Sequence, residues 1–204
     1  MAPGAAARLI LRDVWFGPSA CRAARTGSVS RMTDEAARWG RYATLLPPAE
    51  AQEFTDCWQI GEQEAGLDLL VTTLLKHRVP ISDTTRAEIA VAAEEWGVWG
   101  TLAPDLGRCV DGGPGDGSLK LIEQADAVRA DPFVVVPWLA CTRCDRTLAR
   151  MHHREGWGDH SLGAIRYVLS DRDAPVRLFD RETLWDAVTE LRAPCHRFAR
   201  EPRY

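Results

Sequence analysis

An α+β fold, with an N-terminal antiparallel helical unit followed by a small α+β unit, is expected from three features of this 204-residue chain. From Pro48 to about Pro104 the apolar residues recur at three- and four-residue intervals, the period of a helix with one buried face. Residues 107–118 (GRCVDGGPGDGS) are rich in glycine and interrupt that period. Beyond them lie short β-branched runs of the kind that fill strands. The expected organisation is therefore residues 1–31 as a disordered tail or an over-extended start, an acidic helical unit over 32–106, a Gly-rich linker or exposed loop over 107–118, and the α+β unit over 119–204.

Residues 1–31 show small residues, scattered arginines and no sustained period. Leu9-Ile10-Leu11 is too short an apolar core for a signal peptide, and Met32-Thr33-Asp34-Glu35 would make a natural beginning. The first helix begins near Pro48, with Ala51, Phe54 and Trp58 on its inner face, and Gly61 ends or turns it. The second runs from about Glu62 to His77 with Leu67, Leu70, Val71, Leu74 and Leu75 as its apolar stripe; Gly66 weakens its first turn. Val79 precedes a proline and is biased to extended backbone. Ser82 or Asp83 then offers an N-cap for a third helix that carries Ile89, Ala92, Ala93 and Trp96 inward and ends at Gly97 or Gly100. Trp96 and Trp99 are one helical turn apart and should pack together or flank an edge. The short connections favour an up-down arrangement.

In the C-terminal unit, Leu119–Arg129 reads as a helix and Phe133–Val136 as a strand, while Leu148–His153 fits either. Ala164–Leu169 and Val176–Phe179 read as strands paired across the turn at Asp171–Pro175. Asp180 is placed to cap a last helix from about Arg181 to Leu191.

Charge is distributed unevenly. The net charge is -4, yet residues 1–31 carry +4, residues 32–118 carry -9 and residues 119–204 carry +1. Between Ala43 and Leu75 there is no lysine or arginine, while Glu50, Glu53, Asp56, Glu62, Glu64 and Asp68 all fall there. Charged helical faces are most often only solvated. Helices built for solubility, however, usually mix signs at i, i+4, and this stretch does not. A one-sign field attracts basic partners and repels nucleic acid, chiefly through association rates. No nucleic-acid partner is expected, and an aromatic base-stacking role for the tryptophans lacks the positive surroundings it would need. No apolar run approaches the roughly 20 residues that span a bilayer, so no membrane partner is expected either.

Six cysteines at irregular spacing (Cys21, Cys57, Cys109, Cys141, Cys144 and Cys195) do not form the dense pattern of a secreted disulfide scaffold, so a cytoplasmic location with reduced thiols is expected. Lys76 and Lys120 are the only lysines, and with abundant alanine, glycine and aspartate this points to a GC-rich bacterial genome. Cys141-Thr142-Arg143-Cys144 is the one recognisable chemical motif. Two thiolates at this spacing can share an edge of a zinc tetrahedron. The donors offered to complete it are His152, His153, His160, Cys195 and His196, with Cys141, Cys144, His153 and Cys195 as the working set for a structural zinc ion; the other expectation is no cofactor. A thiol-redox reading compares the order strand, CxxC, helix with a thioredoxin-like site, although Thr-Arg stands between the cysteines. Cys141-x-x-Cys144, His152-His153 and Pro194-Cys195-His196 also loosely resemble an HNH endonuclease, eroded because Arg192 stands where a cysteine belongs and the asparagine is missing. The glycines of 107–118 do not form a phosphate loop, since no strand precedes them and no Gly-Lys-Ser/Thr follows. His77 suits a helix C-terminus as a capping group. No catalytic residue is assigned.

Gly61-Glu62-Gln63-Glu64-Ala65-Gly66-Leu67-Asp68-Leu69-Leu70-Val71, with Val79-Pro80-Ile81 and Arg86-Ala87-Glu88-Ile89 after it, resembles the helical immunity proteins of bacterial toxin systems, the MafI-like and contact-dependent growth inhibition immunity families. The resemblance covers residues 50–100 and leaves the C-terminal unit outside. It implies a non-catalytic protein that neutralises a cognate toxin by covering or distorting its active site. The acidic helices suit this independently, because nuclease toxins carry basic substrate-binding surfaces. Glu53, Asp56, Glu62, Glu64 and Asp68 are accordingly the expected contacts to a basic protein toxin. The alternative is a zinc-binding or thiol-redox protein centred on the CxxC, including the eroded nuclease.

Overall fold

The computed structural model describes residues 28–122, 125–156, 160–171 and 174–193. It is an α+β structure with helices first and an antiparallel sheet after them. The chain divides between Gly115 and Asp116 into two compact units.

The first unit contains α1 (Ser28–Ala43), α2 (Pro48–Ile60), α3 (Gln63–His77), α4 (Asp83–Glu95) and α5 (Trp99–Leu106). Helix α1 starts four residues before the expected boundary at Met32, so residues 28–31 are helical rather than part of a tail; residues 1–27 lie outside the described residues. Further along the helix, Trp39 stacks on Phe54 of α2 at 4.5 Å between ring centroids, which gives α1 a fixed partner. Pro48 opens α2 at a position where a missing N–H costs nothing. Gly61 closes it in the left-handed region, φ 87°, as expected of a glycine there.

Helix α3 buries Leu67, Leu70, Val71 and Leu74 as its period requires. Gly66 has a packing role. A Cβ there would stand 2.8 Å from the Trp39 ring and 3.2 Å from Cys57 Cβ, so the absent side chain lets α3 approach α1 and α2. Ser82 is the N-cap of α4 and accepts a hydrogen bond from the Thr85 N–H at 3.1 Å. Trp96 does not point inward with Ile89, Ala92 and Ala93: it forms the C-cap of α4, half-buried, and Gly97 at φ 78° turns the chain before Trp99 opens α5. The two tryptophans therefore belong to different helices.

The glycine-rich loop is exposed but anchored. Ile81 N–H donates to Val110 O at 3.0 Å, and Gly112 N–H donates to Ile81 O at 3.1 Å. A Cβ on Gly113 would fall 2.4 Å from Pro80 O, which explains why this contact needs glycine. Arg86 of α4, 5% exposed, donates to Leu106 O, to Cys109 O at 2.9 Å and to Asp111 Oδ1 at 2.7 Å. A guanidinium satisfies several carbonyls at once, and here it ties the end of α5 and the loop to α4.

The second unit is a six-stranded antiparallel sheet of β1 (Leu119–Leu121), β2 (Val128–Ala130), β3 (Phe133–Cys141), β4 (Thr147–His153), β5 (Arg166–Asp171) and β6 (Ala174–Phe179), with α6 (Leu184–Arg192) after a short 3₁₀ turn. The helix expected over Leu119–Arg129 is not formed. Leu119–Leu121 and Val128–Ala130 instead pair with the two ends of β3. An isolated helix of 11 residues is marginal in water, whereas the edge of β3 offers a ladder of unpaired backbone groups. Leu148–His153, ambiguous by period, is the central strand β4. Strands β5 and β6 pair as expected. Asp180 precedes the 3₁₀ turn, where its N–H donates to Thr183 Oγ1 at 3.1 Å. Helix α6 buries Leu184, Ala187, Val188 and Leu191 and packs on β3, β4 and β5. Pleat alternation puts Val135, Ala149, Met151 and Val168 in a separate apolar cluster, away from the face that carries Leu148, Arg150 and His152.

Candidate functional site

Two places in the molecule collect the residues with chemical potential: the polar side of α2 and α3, and the hairpin between β3 and β4.

On α2, Glu53, Asp56 and Ile60 lie at i, i+3 and i+7 and share one exposed face, opposite the fully buried Phe54. Glu62 follows in the turn. On α3, Glu64 and Asp68 lie at i, i+4 on the side away from Leu67, Leu70 and Leu74. All five carboxylates are exposed. Asp56 accepts a hydrogen bond from Gln52 Nε2 at 2.7 Å, which holds its carboxylate without neutralising it. Among the described residues, none of the five forms an ion pair.

Electrostatics reports the clustering directly. Burial pushes the Cys57 thiol pKa up, and Glu53, Asp56 and Glu62 push it further up; these three carboxylates thus act on one point between the helices. Glu50 behaves differently. Its Oε1 is 3.5 Å from Lys76 Nζ and 3.3 Å from His77 Nε2. Its own backbone N–H, then His77 and Lys76, lower its pKa despite an opposing effect of desolvation. His77 thus takes part in an inter-helix pair as well as standing at the C-terminus of α3.

Ile60 was missed in the sequence, and it is the most informative side chain on this face. It is 74% exposed in the last turn of α2, between Asp56 and Glu62. Its i, i+7 relation to Glu53 on a polar stripe was the available signal.

In the second unit, β3 ends at Cys141 and β4 begins at Thr147, so Cys141-Thr142-Arg143-Cys144 occupies the hairpin turn. Arg143 N–H donates to Cys141 Sγ at 3.4 Å. Thr142 N–H donates to Ser118 O at 3.0 Å, and Thr142 Oγ1 donates to Gly117 O. Arg146 closes the hairpin through its carbonyl, which accepts from Cys141 N–H at 3.0 Å. Its guanidinium meets Asp171 Oδ2 at 2.7 Å, Glu190 O at 3.4 Å and Ala193 O at 3.3 Å. Cys141 and Cys144 are not in a disulfide.

This geometry corrects three expectations. A thioredoxin-like site needs a helix after the CxxC, whereas here the chain turns back into β4. The HNH-like order needs a helix directly after its strands, but β5 and β6 come between His152-His153 and α6, and Pro194-Cys195-His196 lie outside the described residues. His153 does not share a site with Cys141 and Cys144, because it ends β4 opposite Phe133 while the cysteines flank the turn at the strand's other end. Six residue steps of strand carry the chain from Thr147 to His153, about 20 Å. His152 and His160 lie at that same far end, their rings edge-on at 4.7 Å between centroids. Among the described residues no group of three or more His, Cys, Asp or Glu could hold a metal ion; Cys195 lies outside them.

His152 is fully buried. Its Nδ1 donates to Ser161 O at 2.8 Å, and its Nε2 has no hydrogen-bond partner among the described residues. Burial, assisted by Arg150, lowers its pKa to about 4 and keeps the ring neutral. Among the described residues no helix is long and apolar enough to cross a membrane. Comparison of the chain with family models, with curated proteins and with solved structures finds no match.

Proposed function

We propose that this protein is a non-catalytic immunity protein of the cytoplasm that binds and neutralises a basic toxin, most suitably a nuclease, through the outer face of α2 and α3. The observation that carries the reading is the exposed set Glu53, Asp56, Glu62, Glu64 and Asp68, without an ion pair among the described residues, with the exposed Ile60 on the same face of α2 as Glu53 and Asp56. An apolar side chain within a charged rim has the composition of a binding centre: the rim steers the encounter and the apolar group contributes to retention. A nuclease must present positive charge to its substrate's phosphates, and that surface complements this one. The MafI-like resemblance of residues 50–100 falls on the same helices. Reduced thiols at Cys57 and Cys109 fit a cytoplasmic compartment.

The test is association with the C-terminal domain of a large secreted protein encoded in the neighbouring open reading frame. Glu53→Lys combined with Asp56→Lys and Glu64→Lys should slow association by roughly tenfold or more, and the wild-type rate should fall with salt over a Debye length of about 8 Å at physiological strength. Ile60→Asp should chiefly raise the dissociation rate. If the triple variant binds and protects cells as wild type does, the face is only solvated.

A further inference from the structure

We propose that Cys141 and Cys144 are a reversible redox pair: a peroxide closes a disulfide between them across the β3–β4 hairpin loop, and glutathione-type thiols reopen it. The inference is independent of toxin binding, which is assigned to the other unit.

Four observations lead to it. First, the loop is closed at its base. Cys141 N–H donates to Arg146 O at 3.0 Å, so Thr142–Asp145 form a four-residue turn and the two thiols stand three positions apart within it. A disulfide needs Cα atoms about 4.4–6.8 Å apart. Three residue steps span about 10 Å when extended, so only a chain that reverses within them can meet that requirement, and this one does. Second, the Cys141 side chain is turned over the loop: its Sγ accepts from Arg143 N–H at 3.4 Å, one residue short of Cys144. An amide directed at sulfur also favours the thiolate. Third, the pair combines a protected thiol with an accessible one. Cys141 is buried and Cys144 half-buried, while Thr142, Arg143 and Asp145 around it are exposed. Fourth, the β3–β4 ladder begins at Ala140 and Thr147, so closing the ring changes the turn and leaves the ladder in place.

The accessible Cys144 meets the oxidant. Its thiolate attacks one peroxide oxygen and the O–O bond breaks. The sulfur becomes a sulfenic acid, and the departing hydroxide takes up the proton that Cys144 shed, leaving as water. The Cys141 sulfur then attacks the Cys144 sulfur. The S–S bond forms, the S–O bond breaks, and the hydroxyl leaves with the Cys141 proton as a second water. Two thiols have then been oxidised by two electrons and one peroxide reduced to water. Two small thiols reverse the step by exchange and become one disulfide themselves. In a reducing compartment such a bond is transient, as redox-sensing disulfides are. Thr142 and Arg143 lie inside the ring, so closing it acts on their bonds to Asp116, Gly117 and Ser118.

The full-length protein, reduced and then exposed to hydrogen peroxide, is quenched in acid, alkylated with N-ethylmaleimide and digested with trypsin without reductant. Trypsin cuts after Arg143, between the two cysteines. The disulfide therefore appears in the mass spectrum as residues 130–143 linked to residues 144–146. This linked pair should form at least tenfold faster than thiol is lost at Cys57 or Cys109, whose pKa values burial raises. Dithiothreitol should restore both thiols. In Cys141→Ser, Cys144 should stop at the sulfenic acid and be trapped by dimedone. The linked peptide is read on the wild type and so does not depend on how the variant folds. Treated wild type in which Cys141 and Cys144 remain alkylatable, are oxidised without being linked, or are linked instead to Cys21 or Cys195 would overturn the proposal. So would equally fast loss of thiol at Cys57 and Cys109.

Discussion

The sheet unit and the α2–α3 hairpin use charged residues in opposite ways. In the sheet unit, arginine and carboxylate meet repeatedly: Arg146 with Asp171 at 2.7 Å, Arg166 with Asp180 at 2.8 Å, and Arg177 with Glu190 at 2.5 Å. In the α2–α3 hairpin, Glu50 is paired at one end and the five carboxylates beyond it are left without a counter-charge among the described residues. Exposed pairs contribute about 0–1 kcal/mol each, so the difference changes stability little. It changes the external field. Charge in the sheet unit cancels within short distances, while charge on the helices adds over a face.

The comparison can be broken or sharpened by substitution. The largest effect should come from the core that supports the acidic face. Leu70 and Leu74 are fully buried, and truncating either to alanine should cost about 2–5 kcal/mol in urea unfolding followed by far-UV circular dichroism. A loss below about half a kcal/mol would place the core on another face. Arg86→Met should cost about 2–4 kcal/mol, because Leu106 O and Cys109 O would lose their donor while buried. A variant as stable as wild type would show that water replaces the guanidinium without penalty.

Gly66→Ala sets two effects against each other. Alanine improves helix propensity by about 1 kcal/mol. The added Cβ would press on Trp39, itself stacked against Phe54 and unable to give way cheaply, at a cost of about 1–3 kcal/mol. Net destabilisation is expected, and a higher melting temperature would refute the close-approach argument.

In the sheet unit, His152 should make stability depend on acid. Its folded pKa of about 4 lies below the unfolded value of about 6.5. The unfolded chain therefore binds a proton first as pH falls. The neutral-ring contribution is complete above about pH 6.5 and is lost progressively down to about pH 4, at about 1.4 kcal/mol per unit of difference. His152→Asn, which keeps a donor for Ser161 O, should flatten the urea midpoint over that window relative to wild type. An unchanged slope would assign the acid sensitivity elsewhere. The smallest effect on stability should come from the acidic face itself: reversing Glu53, Asp56 and Glu64 should shift unfolding by no more than about 0.5 kcal/mol per site. A larger loss would mean that these carboxylates hold the fold.

Helices α2, α3 and α4 were legible because their information is local. A 3.6-residue apolar stripe, a proline at the start, Gly61 at the end and Ser82 as a cap all act within a turn or two. The exposed positions of Glu53, Asp56, Glu62, Glu64 and Asp68 followed from the same period. Strands β5 and β6 were legible for the same reason, as neighbours across a short turn.

What depended on partners distant in the chain could not be read from it. Leu119–Arg129 has helical composition, but the unpaired edge of β3 recruited both of its ends. Arg86 meets Leu106, Cys109 and Asp111 only through the fold, each of them 20 or more residues along the chain. His153 was plausible beside Cys141 and Cys144 by sequence distance alone, yet the direction of β4 carries it to the far end of the sheet. Composition and period determined the helices over residues 48–95 and where negative charge accumulates, because those are properties of neighbouring residues. The pairing of β1 with β3, the buried guanidinium and the bonds of Arg146 to Ala193 were decided only by tertiary structure, because each satisfies hydrogen-bonding groups with partners about 20 or more residues away.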